Sequence, residues 1–246
     1  MNSNVNLEAA FGVLLFLGTC LALAALALFV AHGLVARKYG RMLKGSLALF
    51  VLLAVYLGLM LVFSLRSEER ALARGAEKYF CEIDCHLAYS VVDLKQAKSI
   101  GNPPGQATAA GMFYIITVRT RFDENTISSG RGDAPLTPNP RVLTVFDGDR
   151  QKYNLSTEGQ RALELSGGGG TPIMTPLRPG ETYTTALVFD LPATVSNPSL
   201  LINEEWLPTR FIVGHENSFW HGQTRFRLDA QEQQTAGSPN ARAFNP

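Results

Sequence analysis

The chain has 246 residues, with 22 Lys and Arg against 21 Asp and Glu, and three Cys. This length allows one or two domains, and three Cys are too few for a small scaffold held together by disulfides. The formal net charge of +1 argues against a general nucleic-acid-binding protein, so no nucleic-acid partner is expected.

Two apolar segments come first in the chain. Residues 9–31 and residues 45–65 contain no charged side chain. As helices they would be about 34 Å and about 31 Å long, which is enough to cross the hydrocarbon core of a bilayer, about 30 Å thick. Residues 1–8 contain no Lys or Arg, which argues against a cleaved signal peptide. Residues 1–65 are therefore predicted to form a transmembrane α-helical hairpin whose partner is the lipid bilayer.

Basic residues between the two segments predict the orientation. Residues 34–44 contain no acidic residue but carry Arg37, Lys38, Arg41 and Lys44. The positive-inside rule places this loop in the cytoplasm. Further basic residues follow within residues 66–78, but a long folded domain is translocated largely regardless of its charge. We expect an integral protein of a bacterial-type inner or plasma membrane, with its C-terminal domain extracytoplasmic.

The remaining sequence divides into a connector, a domain and a tail. In residues 66–78 (RSEERALARGAEK), Glu and Arg are spaced for pairing on a helix, which predicts a juxtamembrane helical stalk. Residues 79–229 show strand patterns separated by turn residues, and predict an all-β sandwich of the immunoglobulin-like type. Residues 230–246 are polar and are predicted to be disordered. Strands are predicted over residues 86–94, 111–122, 141–146, 182–191, 200–203, 209–213 and 224–228, with a hairpin turn at Asp147-Gly148.

Several segments of this domain occur in an order that resembles a known family. They are residues 98–100 (KSI), 111–118 (GMFYIITV), 145–153 (VFDGDRQKY), 177–181 (LRPGE) and 188–192 (VFDLP). Over residues 85–228 this order resembles the immunoglobulin-like domain of unknown function in bacterial and archaeal lipoproteins and membrane-anchored surface proteins. The resemblance implies an immunoglobulin-like fold and carries over no catalytic residues. This chain differs in having a two-helix anchor instead of a lipidated Cys.

The segment around Cys81, Cys85 and His86 is the main candidate site. An oxidising compartment favours a disulfide between the two Cys. Residues four apart on a straight strand lie about 13 Å apart, whereas a disulfide needs Cα atoms within about 7 Å, so the segment would have to turn. The alternatives are two free buried Cys, covalent haem through a Cys-x3-Cys-His variant, or a Cu(I) or Zn site. That metal site would draw on Cys81, Cys85, His86, His215 and His221.

A second unusual segment is the loop formed by residues 214–222. It brings His215, Glu216, Phe219, Trp220 and His221 together. Such a loop is typical either of a ligand-binding tip or of a structural turn held by capping polar groups, and both interpretations stay open.

The sequence contains no nucleophile elbow, phosphate-binding loop or metallopeptidase motif. We therefore expect no catalytic residues, no cofactor and no enzymatic activity. The leading prediction is a membrane-anchored extracytoplasmic accessory or interaction module with a protein partner in the membrane or envelope. The alternatives are a metal-handling or redox accessory protein that uses Cys81, Cys85 and His86, and a small subunit of a larger membrane complex.

Overall fold

The computed structural model describes residues 2–3, 9–80, 86–127, 130–204 and 206–229. Two long helices, α1 (Ala9–Val35) and α2 (Tyr39–Arg66), form an antiparallel hairpin. Gly45 permits their close approach, because a Cβ atom there would lie 2.8 Å from Cγ2 of Val30. The sequence prediction of two apolar helices at the start of the chain is confirmed.

Both helices are long and apolar enough to cross a membrane. Their large side chains face outward: Leu21, Leu28 and Phe50 are 73%, 72% and 68% exposed. An apolar helix in the core of a water-soluble domain would bury these side chains. The hairpin therefore presents an apolar surface around much of its circumference.

The rest of the described chain forms two sheets and one short helix, α3 (Thr157–Leu165). The first sheet has the order β1-β3-β4-β5-β8 and the second the order β2-β10-β9-β6-β7. Pairing is antiparallel except between β1 and β3 and between β2 and β10. The strands are β1 (Asn2–Ser3), β2 (Arg70–Leu72), β3 (Lys78–Phe80), β4 (Leu87–Ile100), β5 (Ala107–Phe122), β6 (Arg141–Phe146), β7 (Lys152–Tyr153), β8 (Thr182–Leu191), β9 (Ser199–Glu204) and β10 (Thr224–Arg227).

The two sheets share one hydrophobic core. Tyr89 and Phe189 of the first sheet and Ile202 and Phe226 of the second are fully buried in the same cluster. Side chains alternate along a strand. In β8 the side chains of Leu187, Phe189 and Leu191 therefore face this core, whereas the side chain of Val188 faces the opposite side of the sheet. The prediction of a β domain after the helices is confirmed at this level.

The helical stalk predicted for residues 66–78 is wrong. Helix α2 ends at Arg66, where the Ser67 hydroxyl donates a 2.6 Å hydrogen bond to the Ser64 carbonyl. The chain then continues as β2, whose Arg70 lies opposite Thr224 of β10 in parallel register. Pairing with a distant strand outweighs the few tenths of a kcal/mol that Glu–Arg pairs contribute to an exposed helix.

Two further details differ from the predicted all-β pattern. The strand predicted over residues 209–213 is wrong: the chain forms a 3₁₀ turn, Leu207–Phe211, with Pro208 near its start, where the fixed φ of proline suits a helical turn and its missing N–H leaves no bond unmade. Helix α3 was not predicted. The Ser156 hydroxyl caps it by accepting from the Gly159 N–H, and its Ala162 packs on the outer face of the first sheet. Residues 230–246, predicted to be disordered, lie outside the described residues.

Candidate functional site

Strand β3 carries a lysine into the interior of the domain. Residues alternate along a strand, so Lys78 faces inward between the outward-facing Glu77 and Tyr79. Lys78 is fully buried. Its Nζ donates hydrogen bonds to Glu216 Oε1 at 2.7 Å, to the Ile202 carbonyl at 2.9 Å and to the Thr224 carbonyl at 3.1 Å. All three ammonium protons can therefore be used, which is what burial of this charge requires.

Glu216 neutralises the buried lysine. Its Oε1 also accepts a 2.8 Å hydrogen bond from the Thr224 backbone N–H, so a fixed dipole supports the carboxylate. Burial lowers the pKa of Lys78 and raises the pKa of Glu216, and the attraction between the two charges opposes both shifts. The pair behaves as one unit, because removing either partner leaves the other charge without compensation.

A second buried ion pair lies in the same part of the domain. Arg141 Nη1 lies 2.6 Å from Glu204 Oε1, and the two side chains are 0% and 7% exposed. The pair joins neighbouring strands, since Arg141 of β6 is directly opposite Glu204 of β9. The guanidinium also lies 4.1 Å from the centre of the Phe80 ring, an attractive cation–π geometry.

His215 lies against this cluster in its neutral form. Its Nδ1 accepts a 3.0 Å hydrogen bond from the Asn217 N–H, which requires an unprotonated nitrogen. Burial, with the nearby charges of His221 and Lys78, lowers the pKa of His215 to about 4. Glu204 Oε2 is 3.9 Å from Nε2, too far for a hydrogen bond, and this carboxylate is already paired with Arg141.

The loop of residues 214–222 is a structural turn. Successive backbone hydrogen bonds run from His215 N to the Ile212 carbonyl, from Ser218 N to the His215 carbonyl, and from His221 N to the Ser218 carbonyl. The Ser218 hydroxyl also donates to the Ile212 carbonyl. Of the two interpretations of this loop, the structure favours the turn.

The same loop contacts the helical hairpin. We call residues 206–222 the junction segment. Val213 is buried in a cluster with Tyr56 and Met60 of α2, and the Tyr56 hydroxyl donates a hydrogen bond to the Phe211 carbonyl. At the other end of the segment, the Gly222 N–H donates a 2.6 Å hydrogen bond to the Ser67 hydroxyl. The junction segment therefore joins the β domain to both the middle and the end of α2.

The candidate metal ligands are not brought together by the described residues. His86 is buried, with its ring centre 5.2 Å from that of Phe122. Within residues 9–80, 86–127, 130–204 and 206–229, no group of three or more His, Cys, Asp and Glu is arranged to hold a metal. Cys81 and Cys85 lie outside the described residues, so the disulfide, free-thiol, haem and metal hypotheses for them stay predictions.

The buried charge cluster was missed at the sequence level. Lys78 falls in the predicted helical stalk, Arg141 is the first residue of a predicted strand, and Glu204 lies just after another predicted strand. One local signal exists: side chains alternate in an extended segment, so Lys78 lies on the face opposite its neighbours Glu77 and Tyr79. Its partner Glu216 is 138 residues away, and no local pattern indicates that pairing.

Chemically, the cluster is suited to holding the fold. Its carboxylates are paired with cations, and its histidine is neutral and hydrogen-bonded. A groove of about 520 Å³ opens beside it, lined by Asn139, Pro140, Glu204 and Trp206. The carboxylate in this lining is the one paired with Arg141. Apart from this carboxylate, the lining residues present apolar and amide surface to the groove.

No family model matches this sequence, and no curated protein matches it either. Among solved structures, the chain is similar to MPT63, a secreted protein from Mycobacterium tuberculosis, with 15% identity and a TM-score of 0.37 over 65% of this chain and 97% of that one. It is also similar to a conserved hypothetical protein from Bacillus anthracis, with 15% identity and a TM-score of 0.36 over 53% of this chain and 93% of that one.

Proposed function

We propose that this protein is a membrane-anchored accessory or interaction module of the cell envelope, without enzymatic activity, whose β domain is extracytoplasmic. The observation that carries the proposal is a pair of outward-facing apolar helices joined by buried contacts to a two-sheet domain. A lipid bilayer covers such helices without the need for a partner protein. The domain is then held near the membrane surface, available to a protein of the membrane or envelope.

The orientation rests on charge. Arg37, Lys38, Arg41 and Lys44 lie at the turn between α1 and α2, at the end of the hairpin remote from the β domain. Basic residues in short loops favour the cytoplasmic side. The β domain then follows on the opposite side of the membrane.

The sheet topology supports an immunoglobulin-like type. In the second sheet β9 lies between β6 and β10, while β4, β5 and β8 are neighbours in the first. The chain changes sheets from β1 to β2, from β2 to β3, from β5 to β6, from β7 to β8 and from β8 to β9. Connections of this Greek-key kind between two packed sheets are typical of immunoglobulin-like sandwiches. Domains of this class commonly bind through their loops and sheet faces, which fits an interaction role.

The junction segment fixes the orientation of the β domain relative to the hairpin. Its contacts at Tyr56, Met60 and Ser67 fix the domain relative to α2, so a partner would meet the same surface in every molecule. A flexible tether would not provide this.

Cysteine labelling of intact cells tests the proposal. Lys95→Cys introduces a thiol at an exposed site on the β domain, and Tyr39→Cys introduces one at the hairpin turn, each in a chain with Cys20, Cys81 and Cys85 replaced by Ala. A membrane-impermeant maleimide should label position 95 in intact cells and position 39 after permeabilisation alone. Labelling with the sides exchanged would refute the orientation, and release of the protein by alkaline carbonate would refute the anchor.

A further inference from the structure

Part of the β domain, the junction segment, lies alongside the helical hairpin instead of beyond its end. Residues 45–65 of α2 are about 31 Å long as a helix, close to the thickness of a hydrocarbon core. The junction segment packs alongside this stretch. Tyr56, which binds the Phe211 carbonyl, lies ten residues before the end of α2 at Arg66, or about 15 Å along the axis.

Helix α1 has the same overlap. A Cβ atom on Gly12 would lie 3.0 Å from the Val213 carbonyl oxygen and 3.1 Å from Cγ2 of Ile212. Leu15 and Phe16, one turn further along α1, pack against the cluster that contains Val213. The junction segment therefore flanks both helices over roughly the half nearer to the β domain.

This overlap shortens the apolar part of α2 that is free to cross a bilayer. If the junction segment stayed in water, the apolar part of α2 available to lipid would run from residue 45 to residue 56. That is about 17 Å against a hydrocarbon core of about 30 Å. Tilting the hairpin would shorten its reach further. If the junction segment itself enters the bilayer, all of residues 45–65 can lie in the membrane, and their length of about 31 Å matches the hydrocarbon core of about 30 Å.

The surface of the junction segment suits that environment. Five of its large apolar residues are exposed, and three of them form a contiguous patch, with ring centres 5.6 Å apart for Phe211 and Phe219 and 5.9 Å apart for Phe219 and Trp220. Trp is favoured at the membrane–water interface. The chain contains two Trp, and both are in this segment. The exposed fractions are Trp206 63%, Leu207 60%, Phe211 38%, Phe219 39% and Trp220 72%.

Many backbone polar groups of the junction segment are hydrogen-bonded within the segment, as a lipid environment requires. Polar main-chain groups must be hydrogen-bonded within the protein when they leave water. The turns at residues 206–221 supply such bonds, including Thr209 N to the Trp206 carbonyl and Ser218 N to the His215 carbonyl. The exposed Arg210 is long enough to extend its guanidinium toward the head groups.

We propose that the exposed apolar side of residues 206–220 inserts into the outer leaflet beside the hairpin. Lipid acyl chains and head groups then cover Trp206, Leu207, Phe211, Phe219 and Trp220, which we call the aromatic wedge. This inference rests on the proposed function, because it requires that the hairpin spans the membrane. The β domain is then held by two helices and by an aromatic wedge of its own, and it cannot rotate freely above the surface.

Tryptophan fluorescence tests the wedge in the full chain. Trp220→Phe leaves Trp206 as the one reporter, and Trp206→Phe leaves Trp220. Each protein is reconstituted in phosphatidylcholine–phosphatidylglycerol vesicles, with or without bromine on the acyl chains. Two controls in the doubly substituted Trp206→Phe/Trp220→Phe chain place the reporter elsewhere. Phe50→Trp lies on the lipid-facing side of α2, and Leu165→Trp lies on α3 beside Gly105, at the far end of β4.

The wedge predicts that brominated lipid lowers the emission of Trp206 and Trp220 at least about twofold, because both lie at the depth of the membrane interface. The Phe50→Trp reporter should be quenched as well, and the Leu165→Trp reporter unaffected. Quenching at position 50 without quenching at 206 and 220 would overturn the wedge and keep the anchor. A blue-shifted but unquenched emission at 220 would mean that a second copy or another protein covers the patch, which also overturns the wedge. No quenching at position 50 would refute the anchor, and the wedge with it.

Discussion

Strand β3 separates two charged groups of similar chemistry in different surroundings. On its inner face, Lys78 belongs to the buried cluster with Glu216. On its outer face, the Tyr79 hydroxyl donates a 2.7 Å hydrogen bond to Asp123, and Glu77, the residue just before β3, pairs with Arg121 at 2.7 Å. We call these four residues the outer network. The side chains of Lys78 and Glu216 are 0% and 3% exposed, whereas those of Arg121 and Glu77 are 29% and 22% exposed.

The difference lies in what each charge loses when its partner is removed. Water can solvate Glu77 or Arg121 if the outer pair is broken, so the cost is small. Water cannot reach Lys78 or Glu216, so each depends on the other. Losing either member of the buried Lys78–Glu216 pair should therefore remove the stability that this cluster gives to the fold and to the junction segment, which carries Glu216. In the outer network, losing one charged group should lower the free energy of unfolding only slightly.

The outer network also differs in its titration. The hydrogen bond from Arg121 lowers the pKa of Glu77. Burial acts to raise the pKa of Asp123, but hydrogen bonds from Tyr79, the Asn125 backbone and Arg121 outweigh it and lower this pKa to about 2. The titration of His215, beside the buried cluster, affects stability at higher pH, because the ordinary pKa of histidine is near 6.5.

The largest expected effect is on the inner pair. Lys78→Met leaves the Glu216 carboxylate buried without its cation, and should lower the free energy of unfolding by about 3–5 kcal/mol. Thermal unfolding of the full chain in lipid nanodiscs, followed by near-UV circular dichroism, measures the change. The double variant Lys78→Met/Glu216→Gln should recover much of the loss, because the uncompensated charge is gone. A double variant less stable than the single one would contradict the mutual dependence of the two charges.

Acidification should act on the inner cluster next. His215 has a pKa of about 4 in the folded protein and about 6.5 when unfolded, so the unfolded state binds more protons as the pH falls through this range. The stability that neutral His215 provides is present above pH 6.5, and about 2 kcal/mol of it should be lost by pH 5. Unfolding measured at pH 7.5 and pH 5 checks this.

His215→Asn is the matched control for the acid effect. Its Oδ1 can replace Nδ1 as the acceptor for the Asn217 N–H, and Asn does not titrate. The variant should lose less stability between pH 7.5 and pH 5 than the unchanged chain, and the remaining loss is expected from His221, whose pKa is also lowered by burial. The lowered pKa values of Glu77 and Asp123 stabilise the fold above their unfolded values near 4, and this contribution is lost as the pH falls from about 4 toward 2. An acid effect unchanged in His215→Asn would assign it to other groups.

Close packing at the end of α2 should give a smaller effect. A Cβ atom on Gly222 would lie 2.5 Å from the backbone carbon of Glu68, so the junction segment would have to move away from Ser67. Gly222→Ala should cost about 1–3 kcal/mol, in the range of overpacked sites. Gly130→Ala has nothing within 4 Å of the added carbon and should change stability by less than about 0.5 kcal/mol. Equal stability of the two variants in the same unfolding assay would contradict the close approach.

The outer network should give the smallest effect. Glu77→Gln removes one charge of a half-exposed pair, and about 1 kcal/mol or less of stability should be lost. Raising the salt concentration should reduce the difference from the unchanged chain, because exposed charges are screened. The salt dependence of unfolding for both proteins measures it. A loss as large as that of Lys78→Met would mean that solvent exposure does not separate the two groups.

Sequence reasoning located the parts of the fold that depend on local pattern. The two helices follow from uninterrupted apolar runs, and β5, β8 and the turn at Asp147-Gly148 follow from alternation and turn chemistry. Each of these signals lies within a few residues, so no knowledge of the rest of the chain is needed.

The parts that were missed depend on distant partners. β2 forms because β10, some 150 residues later in the chain, offers a free edge, and this overrides the helix-like spacing of residues 66–78. The buried cluster depends on Glu216, in the loop of residues 214–222, meeting Lys78 of β3. The junction segment could be noticed from its aromatic residues, but its contact with α1 and α2 could not, because nothing in residues 206–222 indicates which surface they pack against.

If the junction segment holds the β domain against the hairpin, a short crosslinker should be able to join the two. Met60→Cys and Val213→Cys place thiols on two members of one buried cluster. In membranes, a short membrane-permeant bismaleimide should join positions 60 and 213 within one chain, as detected by peptide mass mapping. The control pair Leu47→Cys and Val213→Cys moves the helix thiol about 20 Å along α2 and should not be joined. Efficient joining of 60 to 213 alone is the predicted result, whereas no joining, or equal joining of both pairs, would contradict the account.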